Sequence, residues 1–123
     1  MNLKFIVIDD SSEMVALLNN FIENCDLGHG HSFENEFEAM DFVSENKPDI
    51  LVIDVNLKHI NGFKLGNMIR DMLKIEVPII YISSNDLYLK EFYDIDQRNT
   101  YFMNKPFSRE TFESVIKKMT NSD

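Results

Sequence analysis

The chain has 123 residues, 44% of them hydrophobic, and a net charge of −9. That is enough for one compact domain with a single core, and too apolar for a disordered chain. No apolar run approaches the ~18 residues of a membrane span, and no basic stretch followed by an apolar segment opens the chain, which argues against a span or a signal peptide. Twelve basic against twenty-one acidic side chains, without a Lys/Arg cluster, argue against nucleic acid as a partner. An acidic balance fits a cation ligand, a basic partner surface or plain solubility. The single Cys25 excludes an internal disulfide and is compatible with a reducing cytoplasm, the expected location.

Leu3–Ile8 reads as the first strand, followed by a helix with Met14, Leu17, Leu18, Phe21 and Ile22 on one stripe, capped by Ser11 or Ser12. A weaker strand is expected at His29–Phe33. A second helix spans about 35–46, with Phe37, Met40 and Val43, and ends before Pro48. Ile50–Ile53 is a third strand, and a third helix carries Leu65, Ile69, Met72 and Leu73. Val77–Ile82 is the fourth strand. Segment 86–97 reads as a helix with a blurred stripe of Leu87, Phe92 and Ile95. A fifth strand at Thr100–Asn104 precedes a helix capped by Ser108, with Phe112, Val115, Ile116 and Met119 inward. The Ile- and Val-rich runs are those of strands buried on both faces, so the alternation predicts a doubly wound α/β fold with a parallel sheet. Ligands in such folds bind outside the carboxyl ends of the strands.

Four of the five expected strands end at that edge in a chemically capable group: Asp9 and Asp10, Asp54, Ser83 and Ser84, and Lys105 before Pro106. Each alone reads as an ordinary turn or cap residue. Together they describe a convergent site. Three neighbouring carboxylates raise each other's pKa and need compensation. Lys105 offsets one charge, and a hard divalent cation such as Mg²⁺ would offset the rest. A carboxylate beside both a metal and a lysine is placed to attack phosphorus.

These residues carry a family resemblance. IVIDD at 6–10, PDILVIDVNLKHING at 48–62, PIIYISS at 78–84 and NKPF at 104–107 resemble the CheY-like receiver domain of two-component response regulators. The resemblance covers essentially the whole chain as a single receiver domain over 1–123. It implies a (βα)5, flavodoxin-like sheet in strand order 2-1-3-4-5. Carried over residue by residue, it makes Asp54 the phosphoacceptor, Asp10 the direct metal ligand and Asp9 one acting mainly through water. Asn56 would offer its backbone carbonyl to Mg²⁺, with Mn²⁺ as an alternative. Ser83 would be the switch hydroxyl and Phe102 the switch aromatic. Lys105 and Ser84 would contact the phosphoryl group.

Several positions depart from the family pattern. Lys58 stands where Pro is usual, so the loop after Asp54 is expected to be less stiff. Asn61 replaces a frequent Asp, Ser84 a common Ala, and Arg98–Asn99 a Gly-Ala pair before the fifth strand. His29 and His31 are read as strand or loop residues without a role, while His59 lies in the loop after Asp54. Tyr88, Leu89 and Tyr101 are read either as an exposed aromatic face or as partly buried core residues.

The expected function is that of a stand-alone switch. A histidine kinase or histidine phosphotransfer protein phosphorylates Asp54, and helix 4, strand 5 and helix 5 then change their affinity for a downstream protein. With Thr120–Asp123 alone after the last helix, no effector domain is expected, and the protein is expected as a monomer or weak homodimer. A relay intermediate passing the phosphoryl group to another histidine domain uses the same chemistry. An aspartyl phosphohydrolase would want an acid two residues after the nucleophile, where Asn56 stands. A flavin module would need a phosphate cradle after the first strand, where Asp9 and Asp10 stand. The domain is therefore expected to act on its own phosphorylation state and not as a turnover enzyme.

Overall fold

Strands and helices alternate strictly in the computed structural model, which describes residues 2–85, 87–93, 95 and 98–120, without the side chain of Leu87. In chain order they are β1 (Leu3–Ile8), α1 (Ser12–Asn24), β2 (Gly28–Phe33), α2 (Glu36–Glu45), β3 (Ile50–Asp54), α3 (Gly62–Leu73), β4 (Ile79–Ser83), α4 (Leu87–Tyr93), β5 (Thr100–Asn104) and α5 (Arg109–Met119). The strands form one parallel sheet in the order β2-β1-β3-β4-β5. This is the doubly wound, flavodoxin-like order. β2 lies on one side of β1 and β3 on the other, so the crevice between the carboxyl ends of β1 and β3 is the place for a ligand.

Period-2 alternation divides the core between the two faces of the sheet. Ile6, Ile8, Leu51, Ile53, Ile79 and Tyr81 pack with Ala39 and Val43 of α2, Leu65 and Ile69 of α3 and Phe92 of α4. Phe5, Val7, Ile50, Val52, Ile80 and Ile82 pack with Leu18, Phe21 and Ile22 of α1 and Phe112 and Ile116 of α5. This explains why β3 and β4 are apolar until their last residue: every side chain in them is buried.

The helix caps follow local chemistry. Ser11, Asn35, Asn61 and Ser108 each accept a backbone N–H of the first turn of α1, α2, α3 and α5. Three expected helix stripes shift. In α1, Leu18, Phe21 and Ile22 are buried but Leu17 is exposed, one position off the inward face. In α2 the inward residues are Glu36, Ala39 and Val43, while Phe37 is turned outward. The Asn35 cap sets the helix phase, and positions 36, 39 and 43 then face the sheet. In α3, Leu65 and Ile69 are buried but Met72 is not. The fourth strand starts at Ile79 and runs on to Ser83, while the buried Val77 precedes it. α4 is shorter than segment 86–97, of which Asp86, Asp94, Asp96 and Gln97 lie outside the described residues. Tyr88, Leu89 and Tyr101 are half-buried against the core, whereas Tyr93 is 64% exposed. Among the described residues, no helix is long and apolar enough to cross a membrane.

Candidate functional site

Strand ends bring the carboxylates together. β1 ends at Ile8, β3 at Asp54, and the Ile8↔Ile53 register sets Asp9 beside Asp54. One oxygen from each of Asp9, Asp10 and Asp54 lies within 4.8 Å of the others. Two oxygens in an octahedral Mg²⁺ shell stand about 3–4 Å apart, from Mg–O distances of about 2.0–2.1 Å. The all-oxygen, three-carboxylate set therefore fits a hard divalent cation.

The three acids differ in environment. Asp9 is fully buried, and both its oxygens are engaged. Its Oδ1 accepts the Ser11 N–H at 2.8 Å, and its Oδ2 pairs with the Lys105 ammonium at 3.0 Å. Asp10 is exposed in the turn after β1. Asp54 is 6% exposed; its Oδ1 accepts the Asn56 N–H at 3.2 Å and its Oδ2 lies 3.6 Å from Lys105 Nζ. Burial pushes the Asp54 carboxyl up to about 6. The charge of Asp9 adds to that rise, Lys105 and the Asn56 N–H oppose it, and Asp10 contributes a further small push upward.

Lys105 arrives from the turn after β5. Its N–H donates to Ser83 O at 2.8 Å, which ties the ends of β4 and β5, and its peptide bond to Pro106 is cis. Ser83 is buried, and its Oγ accepts the Asn85 N–H at 3.0 Å. Ser84 is exposed beside it. Phe102 is half-buried in β5, its ring 5.5 Å from that of Phe92 on α4. Asp9, Asp10, Asp54, Ser83 and Lys105 thus meet at one edge of the sheet. Asn56 follows at the start of the β3–α3 loop, and Phe102 lies in β5 in register with Tyr81 of β4.

The loop after Asp54 is closed tightly. The Gly62 N–H donates to Val55 O at 2.8 Å, and Asn56 and Asn61 form an isolated antiparallel bridge. A Cβ on Gly62 would come within 2.3 Å of Asp54 O and 2.7 Å of the Val55 Cα, so the acceptor strand and α3 approach closely only over a glycine. Asn61 does two jobs there. Its Oδ1 caps α3 through Phe63 N–H at 2.8 Å, and its amide donates to Glu91 of α4 at 3.2 Å.

Two supporting residues escape a reading by sequence. Glu36 is 2% exposed and pairs with His59, although an acid in a first helical turn ordinarily reads as a solvated dipole partner. Arg70 donates to the carbonyls of Val77, Arg98 and Asn99. It thereby braces the turn before β5, where Asn99 takes a left-handed φ of 51° in place of the usual glycine-containing pair. His29 and His31 lie on the edge strand β2, lining a cleft of about 290 Å³ with Lys4, Phe42 and Pro48, outside the carboxylate site.

Comparison with known proteins agrees with this geometry. The sequence model described as "Response regulator receiver domain" matches residues 5–117. The chain is 26% identical over 120 residues to the sensory transduction protein LytT of Bacillus subtilis, covering 94% of this chain and 47% of that protein. It is 27% identical over 117 residues to the alkaline phosphatase synthesis transcriptional regulatory protein PhoP of the same organism, covering 95% of this chain and 48% of that protein. The chain thus spans about half the length of the curated relatives it matches. Among solved structures, the chemotaxis protein CheY4 of Vibrio cholerae superposes with a TM-score of 0.85 at 18% identity, over 97% of this chain and 99% of that one. A two-component response regulator of Clostridium difficile gives 0.82 at 21% identity, over 98% and 97%.

Proposed function

The chain belongs to the response regulator receiver domain family, and from that premise we propose that it is a switch phosphorylated on Asp54. The observation that carries the reading is the meeting of three carboxylates within 4.8 Å with a lysine that reaches two of them. In this reading Asp10 and Asp54 would hold Mg²⁺ directly, the Asn56 carbonyl would join them, and Asp9 would act mainly through water. The engagement of both Asp9 oxygens, against the exposure of Asp10, supports that division. The bound cation supplies positive charge for the phosphoryl oxygens.

The donor is a phosphohistidine of a histidine kinase or a phosphotransfer protein. An Asp54 oxygen attacks phosphorus in line and the P–N bond breaks. Its electron pair returns to the imidazole nitrogen, which takes up a proton. Lys105 then pairs with the phosphoryl group, and Ser84, exposed beside Ser83, contacts it in this reading. Ser83 gives up its bond to Asn85 N–H and turns its hydroxyl toward phosphate. Phe102 moves into the space so freed, and the α4–β5–α5 face changes its affinity for a protein target. Phosphorylation acts as a local charge that biases a two-state element. A cytoplasmic location accompanies this reading.

The test is hydrogen exchange in α4, β5 and α5 with and without a small acyl phosphate donor and Mg²⁺. Wild type should change protection there, Asp54→Asn should not, and Ser83→Ala should be phosphorylated with a blunted change. Identical protection in wild type with and without a phosphoryl adduct would refute the switch.

A further inference from the structure

Burying a carboxylate is costly unless it is paired and hydrogen-bonded. Glu36, the first residue of α2, meets that demand through one residue 23 positions on. The His59 backbone N–H donates to Glu36 Oε2 at 3.0 Å, and the His59 ring reaches Glu36 Oε1 with Nδ1 at 2.7 Å. Burial alone raises the Glu36 carboxyl, but the His59 ring and the backbone N–H groups of Glu36 and His59 outweigh it and hold the carboxyl below its ordinary value. Glu36 is therefore ionised at neutral pH, and Nδ1 must be the donor. The ring of Phe37 lies 5.5 Å from the ring of His59.

His59 sits in the middle of the β3–α3 loop, between Asn56 and Asn61. The loop is tied to α4 through Asn61 and Glu91, and to α2 through Glu36 alone among the hydrogen bonds described. Lys58 precedes His59, so no proline stiffens this stretch. We propose that Glu36 is a positioning residue whose two-pronged grip on His59 fixes the loop that follows Asp54, and so sets the Mg²⁺ affinity of the site. The inference rests on the reading of Asp54 and its neighbours as a metal-dependent phosphoacceptor. Both hydrogen bonds end on one buried carboxylate, so loss of Glu36 releases the whole attachment, whereas loss of the His59 side chain removes the Nδ1 bond and leaves the backbone N–H on Glu36 Oε2. The two residues act as a unit and their effects on the metal are not additive.

Mg²⁺ titrations followed by backbone amide shifts test this in wild type, Glu36→Ala, Glu36→Gln, His59→Ala and the Glu36→Ala/His59→Ala double variant. Glu36→Ala should raise the half-saturating Mg²⁺ concentration about three- to tenfold, below the 10–100-fold typical of groups bonded directly to a ligand, and His59→Ala, which keeps its backbone N–H on Glu36, about two- to threefold. The double variant should shift no further than Glu36→Ala. Glu36→Gln should recover most of the affinity, since its carbonyl can accept the His59 N–H and its amide can donate to the ring. In metal-free protein the His59 amide should exchange about tenfold faster in Glu36→Ala than in wild type. Because the His59 side chain is half exposed, His59→Ala keeps the test open should the change at buried Glu36 perturb folding. Wild-type binding with an unchanged midpoint in both single variants would overturn the clasp. Failure of wild type itself to bind Mg²⁺ would overturn the reading of the site instead.

Discussion

Lys105 pairs more closely with Asp9 than with Asp54: its ammonium lies 3.0 Å from Asp9 Oδ2 and 3.6 Å from Asp54 Oδ2. The lysine neutralises the acid that is fully buried and leaves Asp54 less completely compensated. Burial is the main cause of the rise of the Asp54 carboxyl to about 6, the charge of Asp9 adds to it, and Lys105 opposes it.

A carboxyl raised from 3.8 to about 6 binds its proton more tightly in the folded chain than in the unfolded one. Its contribution to stability is full below pH 3.8 and is lost as pH rises through about 6. The loss is at most about 3 kcal/mol at neutral pH, and less where solvent reaches the site. Asp54→Asn should therefore melt higher than wild type in metal-free buffer at pH 7.5, on the order of 5 °C. The gap should close toward pH 4. Added Mg²⁺ should raise the melting temperature of wild type more than that of the variant. Thermal melts over pH, with and without Mg²⁺, check all three outcomes.

Removing the lysine acts in the opposite direction. Lys105→Ala leaves Asp9, with no solvent exposure, without its cation. Breaking such a pair should cost about 2–4 kcal/mol in metal-free urea denaturation. Mg²⁺ should restore part of that stability, because the cation and the lysine answer the same excess of negative charge. Equal denaturation midpoints for variant and wild type would show that the pair contributes nothing to the fold.

On the far side of the sheet, α3 approaches β4 over Gly66, where a Cβ would stand 2.0 Å from the Tyr81 hydroxyl and 2.9 Å from its Cζ. The Tyr81 hydroxyl is buried and has no hydrogen-bond partner among the described residues. Gly66→Ala should cost about 1–3 kcal/mol through overpacking. Tyr81→Phe should be neutral or stabilising by about 1 kcal/mol, and the Gly66→Ala penalty should be smaller in that background. Denaturation of the two single variants and the double variant measures the coupling.

How much of this could be read from sequence depended on whether the signal was local. The strand order was legible only through the family resemblance, whereas the meeting of Asp9, Asp10, Asp54, Ser83 and Lys105 follows from apolar runs that each end in a polar group, because a parallel sheet gathers those ends at one edge. The caps Ser11 and Ser108 were equally legible, since they act within three residues, whereas the Asn35 and Asn61 caps were not read from sequence. Glu36 was not legible: its partner is 23 residues away, and its first-turn position is that of an ordinary exposed acid. Phe37 misled for a related reason. A phenylalanine in a helical stripe reads as core, yet it is 59% exposed with its ring against His59. Arg70 likewise works through three backbone carbonyls that no side-chain pattern reveals.

The central claim is that Asp54 accepts a phosphoryl group in a site completed by Asp9, Asp10 and Lys105. Intact mass spectrometry after incubation with a small acyl phosphate and Mg²⁺ tests it most directly. A single phosphoryl adduct should form on wild type, disappear when Mg²⁺ is chelated beforehand, and be absent from Asp54→Asn. No adduct on wild type at any Mg²⁺ concentration, or an equal adduct on Asp54→Asn, would contradict the account.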